Sequence, residues 1–300
     1  MAVMRTFYKL GVVLVNRYVG KDVVLRLIGY FNRRFRFMNT VFVAYPATEE
    51  FTKAYGFERT LHLSKWNPWI TGLFVQNGKV GLMTCVTNLE HEFLSTGSSE
   101  RLKNLVAETE RIRQLVGASQ KTFAGILPGV LYAKRMVTDT HETSVTVEAV
   151  ARAVDNVLNI SGYPQEAPII ILGGMGFVGK RLVRRLNGRE IHSVDLHNND
   201  SFPVSLKGTK ALIVNVSRKE ALRDYMKYFW KELITLNEVY PPPHDTELTM
   251  ISEIRCPLYH IVGVDAKAYP SFPSVYKGGI PCCAAWNAGA DMKVVVRRLV

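Results

Sequence analysis

The sequence has few cysteines and arranges none of them as a Cys-x-x-Cys pair. Its four cysteines, Cys85, Cys256, Cys282 and Cys283, stand in a chain of 300 residues. This count excludes a disulfide-stapled framework and a zinc site built on cysteine pairs. Because no secretory leader is recognisable, the chain is expected in a reducing compartment, the cytoplasm. Any functional cysteine is therefore expected to act as a thiol.

Long apolar runs are also missing. The longest early run, residues 10–15, is interrupted by Asn16 and Arg17, whereas a spanning helix needs about 20 apolar residues. The sequence thus predicts no membrane-spanning segment. Internal repeats and low-complexity stretches are lacking as well. A chain of 300 residues with 47% apolar and 21% charged residues is typical of a globular protein with two domains.

Acidic residues are scarce at the beginning of the chain. Residues 1–38 hold eight lysines and arginines but a single acid, Asp22, in a chain of net charge +12. Apolar residues stand between these charges, which predicts amphipathic helices that lie on an anionic membrane as a peripheral anchor. The alternative is that the helices pack on the rest of the protein with their charges in water. The charge also suits an acidic carrier protein, whereas no motif of nucleic-acid recognition accompanies it, which disfavours nucleic acid.

The order of predicted elements indicates the fold class. After residue 168, strands and helices alternate, which predicts a parallel sheet with helices on both faces. We therefore expect an α/β protein in which an α/β substrate domain precedes a Rossmann-type domain. The predicted divisions are a basic arm at 1–38, a substrate domain at 39–160 and a dinucleotide domain at 161–300. The predicted helices are 98–116, 143–158, 177–186 and 219–233, and the predicted strands are 40–44, 74–76, 79–84, 169–172, 191–195, 210–216 and 234–239.

A Gly-x-Gly-x-x-Gly turn follows the apolar strand at 169–172. Gly174 is expected to turn the chain, Gly176 to let the backbone approach a pyrophosphate, and Gly179 to let the next helix pack closely. A second strand ends at Asp195, 21 residues after Gly174, where a carboxylate can accept hydrogen bonds from ribose hydroxyls. The predicted cofactor-binding residues are Gly173, Gly174, Met175, Gly176, Phe177, Val178, Gly179, Asp195, Val216 and Ser217. Since Asp195 would face a 2′-phosphate, NADH is favoured over NADPH.

The loop at 275–286 contains two adjacent thiols. Lys277, together with a helix expected to begin near Cys283, would favour the thiolate form of a cysteine there. Cys283 is the first choice of nucleophile and Cys282 the second, while the alternative is that both cysteines are small core residues. Cys85 and Cys256 are expected in the core.

Several motifs resemble the long-chain acyl-acyl-carrier-protein reductases of the cyanobacterial type, which make fatty aldehydes. The similar stretches are residues 78–80, 122–130, 138–143, the glycine turn and 277–280. In that family a cysteine after Lys-Gly-Gly-Ile accepts the acyl group as a thioester, and a nicotinamide hydride releases the aldehyde. The resemblance implies an acyl carrier protein or coenzyme A thioester as substrate, and it favours NADPH. Here the cysteines follow Ile280 by two and three residues, whereas the family has its cysteine four residues after the isoleucine.

The reaction also needs an oxyanion donor and an acid. The first candidates for these roles are Thr122 and His141. Thr138, Tyr240 and His244 are further candidates. Two other functions stay open. One is an alcohol or keto-acid dehydrogenase of shikimate-dehydrogenase-like build in which no thiol takes part, and the other is a non-catalytic, membrane-associated accessory protein that binds a dinucleotide.

Overall fold

The chain is divided into two compact units. The computed structural model describes residues 2–48, 51–53, 57–138, 141–195, 202–218, 220–272 and 276–300. One unit comprises Met1–Glu142 and Ala266–Trp286, and the other comprises Thr143–Asp265 and Asn287–Val300. This division differs from the predicted domains in two respects. The basic arm and the cysteine loop both belong to the first unit, and the helix predicted at 143–158 belongs to the second.

The first unit is a mixed sheet with helices packed on it. Its helices are α1 (Ala2–Val13), a π-helical turn (Leu14–Gly20), α2 (Lys21–Phe35), α3 (Glu90–Leu94), α4 (Ser99–Val116) and α5 (Leu127–Ala133). Its strands are β1 (Met38–Ala44), β2 (Trp69–Gln76), β3 (Lys79–Cys85), β4 (Gln120–Phe123) and β10 (Lys267–Tyr269). The sheet order is β10-β2-β3-β1-β4. β1 runs parallel to β3 and β4, so the carboxyl ends of these three strands share one edge.

Local sequence signals explain two elements of this unit. Asn77 and Gly78 both have positive φ, 48° and 72°, as the type I′ turn between β2 and β3 requires. The helix α4 ends at Gly117, whose φ of 67° makes it a left-handed cap. Its buried face is the one that its apolar spacing predicts. The hairpin and this helix are therefore confirmed.

The basic arm is part of the first unit rather than an appendage. Val12 and Leu25 are buried, and Leu25 packs in a core cluster with Ile112 and Val116 of α4. The expectation of a separate segment at 1–38 fails because one face of each helix carries core residues. None of the described helices is long and apolar enough to cross a bilayer.

The second unit is a sheet of parallel strands with one antiparallel edge strand. Its strands are β5 (Ile169–Leu172), β6 (Ile191–Val194), β7 (Ala211–Asn215), β8 (Leu233–Asn237), β9 (Leu258–Val264) and β11 (Val294–Arg298), in the order β11-β9-β8-β7-β5-β6. Its helices are α6 (His141–Ile160, whose first two residues lie in the first unit), α7 (Gly179–Arg185), α8 (Ala221–Tyr225) and α9 (Asp245–Ile254). Only β11 is antiparallel, to β9. The strand order reverses between β5 and β7, which is the switch point of a doubly wound sheet. The predicted α/β class is confirmed.

Two predicted helices of this unit are shorter than expected. The helix at 219–233 is reduced to α8 and a 3₁₀ turn at Met226–Tyr228, and Lys219 lies outside the described residues. The rest of that segment buries Phe229 and Trp230 in the core around Ile213. Aromatic burial therefore overrides the helical spacing. The helix after the glycine turn begins at Gly179 rather than 177. In the first unit, the acids of Thr48-Glu49-Glu50 predict the start of a further helix, but Glu49 and Glu50 lie outside the described residues.

Candidate functional site

The glycine turn leaves β5 at the carboxyl edge of the second sheet. All four residues of β5 are buried. The chain then turns at Gly173, which has a φ of +85° and lies so close to the next loop that a Cβ would stand 2.7 Å from the Cα of Ser217. Gly174, predicted to make this turn, has no positive φ. It is instead required by packing, because its Cβ would lie 2.1 Å from the Ser193 hydroxyl oxygen.

The other two glycines differ in their surroundings. A Cβ on Gly179 would lie 2.0 Å from the carbonyl oxygen of Gly173, so α7 can pack against the turn only with glycine there. This is the role predicted from the sequence. A Cβ on Gly176 would meet only that same carbonyl oxygen, at 3.1 Å. The space beside Gly176 is therefore more open than at its neighbours, as a backbone that must be approached by a phosphate requires.

A pocket lies beside this turn, at the carboxyl ends of β5, β6 and β7. It is lined by Gly173, Val194, Asp195, Ser217, Arg218, Ala221 and Tyr225. Asp195 therefore reaches the position that its spacing predicts. Burial and then the charge of Asp195 raise the pKa of Tyr225. Arg218, which the sequence analysis missed, donates a hydrogen bond to Asp224 at 2.7 Å. The pocket thus has one carboxylate and one guanidinium among its lining groups.

The remaining predicted cofactor residues lie around the turn. Met175 is exposed, and Phe177, Val178 and Val216 are half-buried. The guanidinium of Arg181 lies 4.1 Å from the centre of the Phe177 ring and donates to the Phe177 carbonyl oxygen at 2.8 Å. This contact places a cation beside the turn, where it adds positive potential for an anionic ligand.

A ladder of buried polar side chains crosses three adjacent strands at the same edge. Asn215 on β7 donates to Asn237 on β8 at 2.7 Å, and Asn237 lies 3.0 Å from Nδ1 of His260 on β9. The Asn215 amide oxygen accepts from the backbone N–H of Ser217, which lines the pocket. Burial lowers the pKa of His260 to about 4. No single segment contains all three residues, so only the pairing of strands could reveal them.

The cysteines lie in the first unit, on a short turn. Cys282–Ala284 form a 3₁₀ helix of three residues that lies against β4. The helix predicted to begin near Cys283 does not form, since extended backbone resumes at Ala285. The helix dipole that was expected to favour a thiolate is therefore missing from this turn. Cys282 is buried, whereas Cys283 is partly exposed. Of the two adjacent thiols, Cys283 is therefore the more accessible to solvent.

Tyr45 organises the edge of the sheet near Cys283. Its hydroxyl donates to Glu90 at 2.9 Å and accepts from the backbone N–H of Ile126 at 2.9 Å. Burial, followed by the charge of Glu90, raises the pKa of Tyr45 well above its usual range, and Cys283 adds to the rise. Tyr45 therefore keeps its proton and lies within electrostatic reach of Cys283. It stands directly after β1, a position that the sequence analysis did not single out.

Two predicted acid or oxyanion candidates also belong to this unit. Thr122 is fully buried in β4, and its hydroxyl has no hydrogen-bond partner among the described residues. His141 is exposed, and its Nε2 donates to the carbonyl oxygen of Trp286 at 2.8 Å. The backbone N–H of Trp286 in turn donates to the buried Gln76 at 3.2 Å. The structure therefore connects His141 to the segment that follows the cysteines.

The other candidates have different surroundings. Lys277 and Thr138 are exposed in the first unit. In the second unit, the Tyr240 hydroxyl donates to the carbonyl oxygens of Ile261 and Val262, and His244 caps the first turn of α9. These hydrogen bonds support the fold. Cys256 is buried, as expected of a core cysteine, and burial raises its pKa to about 11. Cys85 was also expected in the core but is only partly buried, although the burial of its thiol raises its pKa to about 12.

No protein-family model and no curated protein matches the chain. Among solved structures, glutamate dehydrogenase from Peptoniphilus asaccharolyticus is 14% identical and matches 82% of this chain and 67% of its own, with a TM-score of 0.35. NAD⁺-bound 3-phosphoglycerate dehydrogenase from Entamoeba histolytica is 13% identical and matches 71% of this chain and 83% of its own, with a TM-score of 0.27. These scores are too low to carry an inference about function, so each site is interpreted from its own residues.

Proposed function

We propose that the protein is an NAD(P)H-dependent reductase that converts an acyl thioester to an aldehyde through a thioester on Cys283. The substrate would be an acyl carrier protein or coenzyme A thioester. The observation that carries the proposal is the pairing of two features in one chain. One is a glycine turn with an adjoining pocket that contains Asp195, and the other is a partly exposed thiol near the protonated Tyr45.

The residues at the glycine turn fit a dinucleotide. The open space at Gly176 would receive the pyrophosphate, and Asp195 would accept from the ribose hydroxyls. When bound, NAD(P)H supplies the hydride that reduces an acyl carbonyl carbon. Asp195 favours NADH because a carboxylate repels a 2′-phosphate, while Arg218 in the same pocket attracts one. We propose NADH as the preferred of the two.

The chemistry of the first unit would begin at Cys283. The Cys283 thiol gives up its proton as its sulfur attacks the thioester carbonyl carbon. The bond from that carbon to the carrier's sulfur then breaks, and the leaving sulfur takes up the proton, which leaves an enzyme thioester. After reduction of the carbonyl carbon, the carbon–sulfur bond breaks and releases aldehyde and Cys283 thiolate. The attack by Cys283 and the arrival of the hydride would each place negative charge on the carbonyl oxygen. The His141 and Thr122 side chains are the proposed donors to this oxygen, and both require a local shift, since His141 is bonded to Trp286 and Thr122 is buried.

Adduct formation without reductant tests the covalent step. The protein is incubated with acyl coenzyme A and acyl carrier protein thioesters of several lengths, and its intact mass is measured. We expect a single acyl adduct that is absent from Cys283→Ala. The Cys85→Ala and Cys256→Ala variants serve as matched controls and keep the adduct. If a Cys282/Cys283→Ala double variant still reduces a thioester at nearly the wild-type rate, the covalent mechanism is wrong.

Calorimetry tests the dinucleotide site independently. Gly176→Val introduces a branched side chain where the pyrophosphate would approach, so NADH and NADPH binding should be lost. Gly97→Ala is the matched control because a Cβ there meets nothing within 4 Å. Unchanged affinity in Gly176→Val would exclude this placement of the cofactor, whatever the result of the adduct experiment.

A dehydrogenase without covalent catalysis is the second candidate. It is favoured by one observation, the short 3₁₀ turn at the cysteines, which gives their thiols no helix N-terminus to stabilise a thiolate. Alkylation distinguishes the two functions. Iodoacetamide should abolish thioester reduction if Cys283 is the nucleophile, and it should leave the turnover of a hydroxy or keto acid intact if the second candidate is correct.

A further inference from the structure

The outward side of the basic arm is strongly apolar. Half of the large apolar side chains that are exposed among the described residues lie between Phe7 and Phe35, a tenth of the chain. We call these residues the outer apolar face: Phe7, Leu10, Leu14, Tyr18, Val19, Val23, Leu27, Tyr30, Phe31 and Phe35. Such a concentration marks an interaction surface, because exposed apolar residues are otherwise scattered singly.

Helical geometry explains why these side chains point outward. In α2 the buried residues are Leu25, Gly29 and Asn32, which share one face at a spacing of three to four. At 100° per residue, Val23, Leu27 and Tyr30 lie on the opposite side. The same applies to α1, where Leu10 lies opposite the buried Val12, and Leu14, the next residue after α1, is exposed as well. Each helix therefore has one apolar face in the core and another in water.

The packed side of α2 is fixed, so the helix cannot turn its outer face inward. A Cβ on Gly29 would lie 1.9 Å from the carbonyl oxygen of Leu115, which shows how closely α2 approaches α4. The Asn32 amide donates to the carbonyl oxygens of Val116 and Gly117 at 3.0 and 2.7 Å. The π-helical turn after α1 is held by Asn16, whose side-chain amide donates to the carbonyl oxygen of Ile70 in β2 at 2.9 Å. These contacts orient the outer apolar face away from the core.

Exposed arginines lie beside this face, and the single acidic residue of the arm is paired with an arginine of α4. Arg17, Arg26, Arg33 and Arg34 are all exposed. Asp22, the single acid of residues 1–38, binds Arg111 at 2.7 Å, and this hydrogen bond lowers the pKa of Asp22. The net charge presented beside the apolar side chains is therefore positive.

We infer that the outer apolar face binds the surface of an anionic lipid bilayer. Apolar and aromatic side chains would enter the boundary between headgroups and acyl chains, while the arginines remain among lipid phosphates. A second copy of the chain fits this face less well, because a two-fold contact would bring the same arginines together. An acidic carrier protein would meet the cations but leave much of the apolar length exposed. This inference does not depend on the proposed reaction.

Co-flotation with vesicles tests the inference on the full chain. We expect binding to phosphatidylcholine vesicles that contain phosphatidylglycerol and much weaker binding to phosphatidylcholine alone. The triple variant Val23→Ser/Leu27→Ser/Tyr30→Ser should bind about tenfold more weakly or worse, since it removes three side chains that would leave water. Arg26→Gln/Arg33→Gln/Arg34→Gln should lose about fivefold for each cation and with it the preference for anionic lipid.

A matched triple variant provides the control. Val204→Ser/Leu94→Ser/Tyr269→Ser changes the same residue types at 62%, 64% and 62% exposure, against 61%, 57% and 66% for Val23, Leu27 and Tyr30. It should bind vesicles as the wild type does. Melting temperatures confirm that all variants fold. The inference is overturned if the wild type does not bind anionic vesicles, or if both triple variants bind them equally. It is also overturned if sedimentation without lipid shows a dimer that only the outer-face variant dissociates, or if that variant loses binding to acyl carrier protein but not to vesicles.

Discussion

At the scale of single residues, Tyr45 supports the loop at Ile126 and interacts electrostatically with Cys283, the proposed nucleophile. Its hydroxyl accepts from Ile126 and donates to Glu90, and a Cβ on Gly125 would lie 2.1 Å from this oxygen. Gly125 also has a positive φ of 53°. Glycine is therefore the residue that fits there for two independent reasons, close approach and backbone conformation.

Replacing Tyr45 by Phe should weaken both the fold and the proposed chemistry. The ring is kept, but the Ile126 N–H loses its acceptor, which costs about 1–3 kcal/mol when the group stays out of water. We expect a lower melting temperature and slower formation of the acyl adduct on Cys283. Tyr269→Phe, at an exposed tyrosine, is the control and should change neither. A Tyr45→Phe variant with wild-type stability and adduct rate would show that these hydrogen bonds contribute little.

His260 makes the second unit sensitive to acid. Asn237 donates one amide hydrogen to Val239 and the other to Nδ1 of His260, so the neutral imidazole carries its proton on Nε2. Among the described residues this buried Nε2 has no partner. Because the folded pKa is about 4 and the ordinary value is 6.5, the unfolded chain binds a proton more readily. The contribution of the neutral His260 to stability is therefore complete above pH 6.5 and is lost as the pH falls toward 4.

His260→Gln should remove this pH dependence while keeping an acceptor for Asn237. Urea unfolding of the wild type should show a loss of stability on the order of 3 kcal/mol at most between the two pKa values. The variant is expected to be less stable at neutral pH and to converge with the wild type in acid. Parallel pH profiles of the two proteins would mean that His260 does not remain neutral in the native state.

At the scale of elements, the docking of α2 on α4 depends on small residues in the contact. Gly29 is buried within α2, where glycine is intrinsically unfavourable compared with alanine. Its presence is explained by the Leu115 carbonyl oxygen, which occupies the place where a Cβ would be. Arg111 of α4 adds an ion pair to Asp22 and another to Glu108, each at 2.7 Å. These pairs are partly exposed and are worth little individually, so the close helix contact dominates.

Two glycines on the arm therefore predict opposite responses to alanine. Gly29→Ala should destabilise the first unit by about 1–3 kcal/mol, because the helix must move away from α4. Gly11→Ala in α1, where a Cβ would meet nothing within 4 Å, should stabilise by about 0.5–1 kcal/mol through helix propensity. Chemical unfolding of both variants measures the difference. Equal effects of the two substitutions would contradict the packing of α2 described above.

At the scale of the whole molecule, the sequence predicted what is encoded locally. The hairpin at Asn77 and Gly78, the helix ending at Gly117 and the strand before Gly173 each depend on neighbours in sequence, and each is observed. Residues brought together by strand order were missed. Tyr45 and Ile126 are 81 residues apart in sequence, and Asn215, Asn237 and His260 come from three strands. The spacing of apolar residues within one segment does not indicate which distant residues become neighbours in the fold.

The division into units was the hardest feature to predict. The cysteine turn lies between β9 and β11 of the second sheet in sequence, yet it belongs to the first unit, because the chain returns there through β10, which pairs with β2. The arm carries a core face and an exposed apolar face, so its composition alone could not distinguish packing from exposure. The helices pack on the protein, as one of the two alternatives predicted, and they also expose apolar side chains, whereas binding to a membrane stays a prediction.

The choice of cofactor should appear in the stability of the whole chain. A ligand that binds only the folded state stabilises it by mass action, by about 2.7 kcal/mol at a hundredfold excess over its Kd. With Asp195 and Arg218 both lining the pocket, we expect NADH to raise the melting temperature more than NADPH at equal concentration. Asp195→Ser removes the charge that repels a 2′-phosphate, so NADPH should become the better stabiliser.

Salt and a second substitution separate this effect from general attraction. The net charge of +12 attracts both dinucleotides at long range, and salt screens that attraction, with a Debye length of about 8 Å at physiological ionic strength. The preference set by Asp195 acts at short range and should persist when salt is added. Arg218→Gln should reduce stabilisation by NADPH more than by NADH. If Asp195→Ser leaves the ratio of the two shifts unchanged, Asp195 does not face the ribose, and the pocket beside Gly173 receives another part of the ligand.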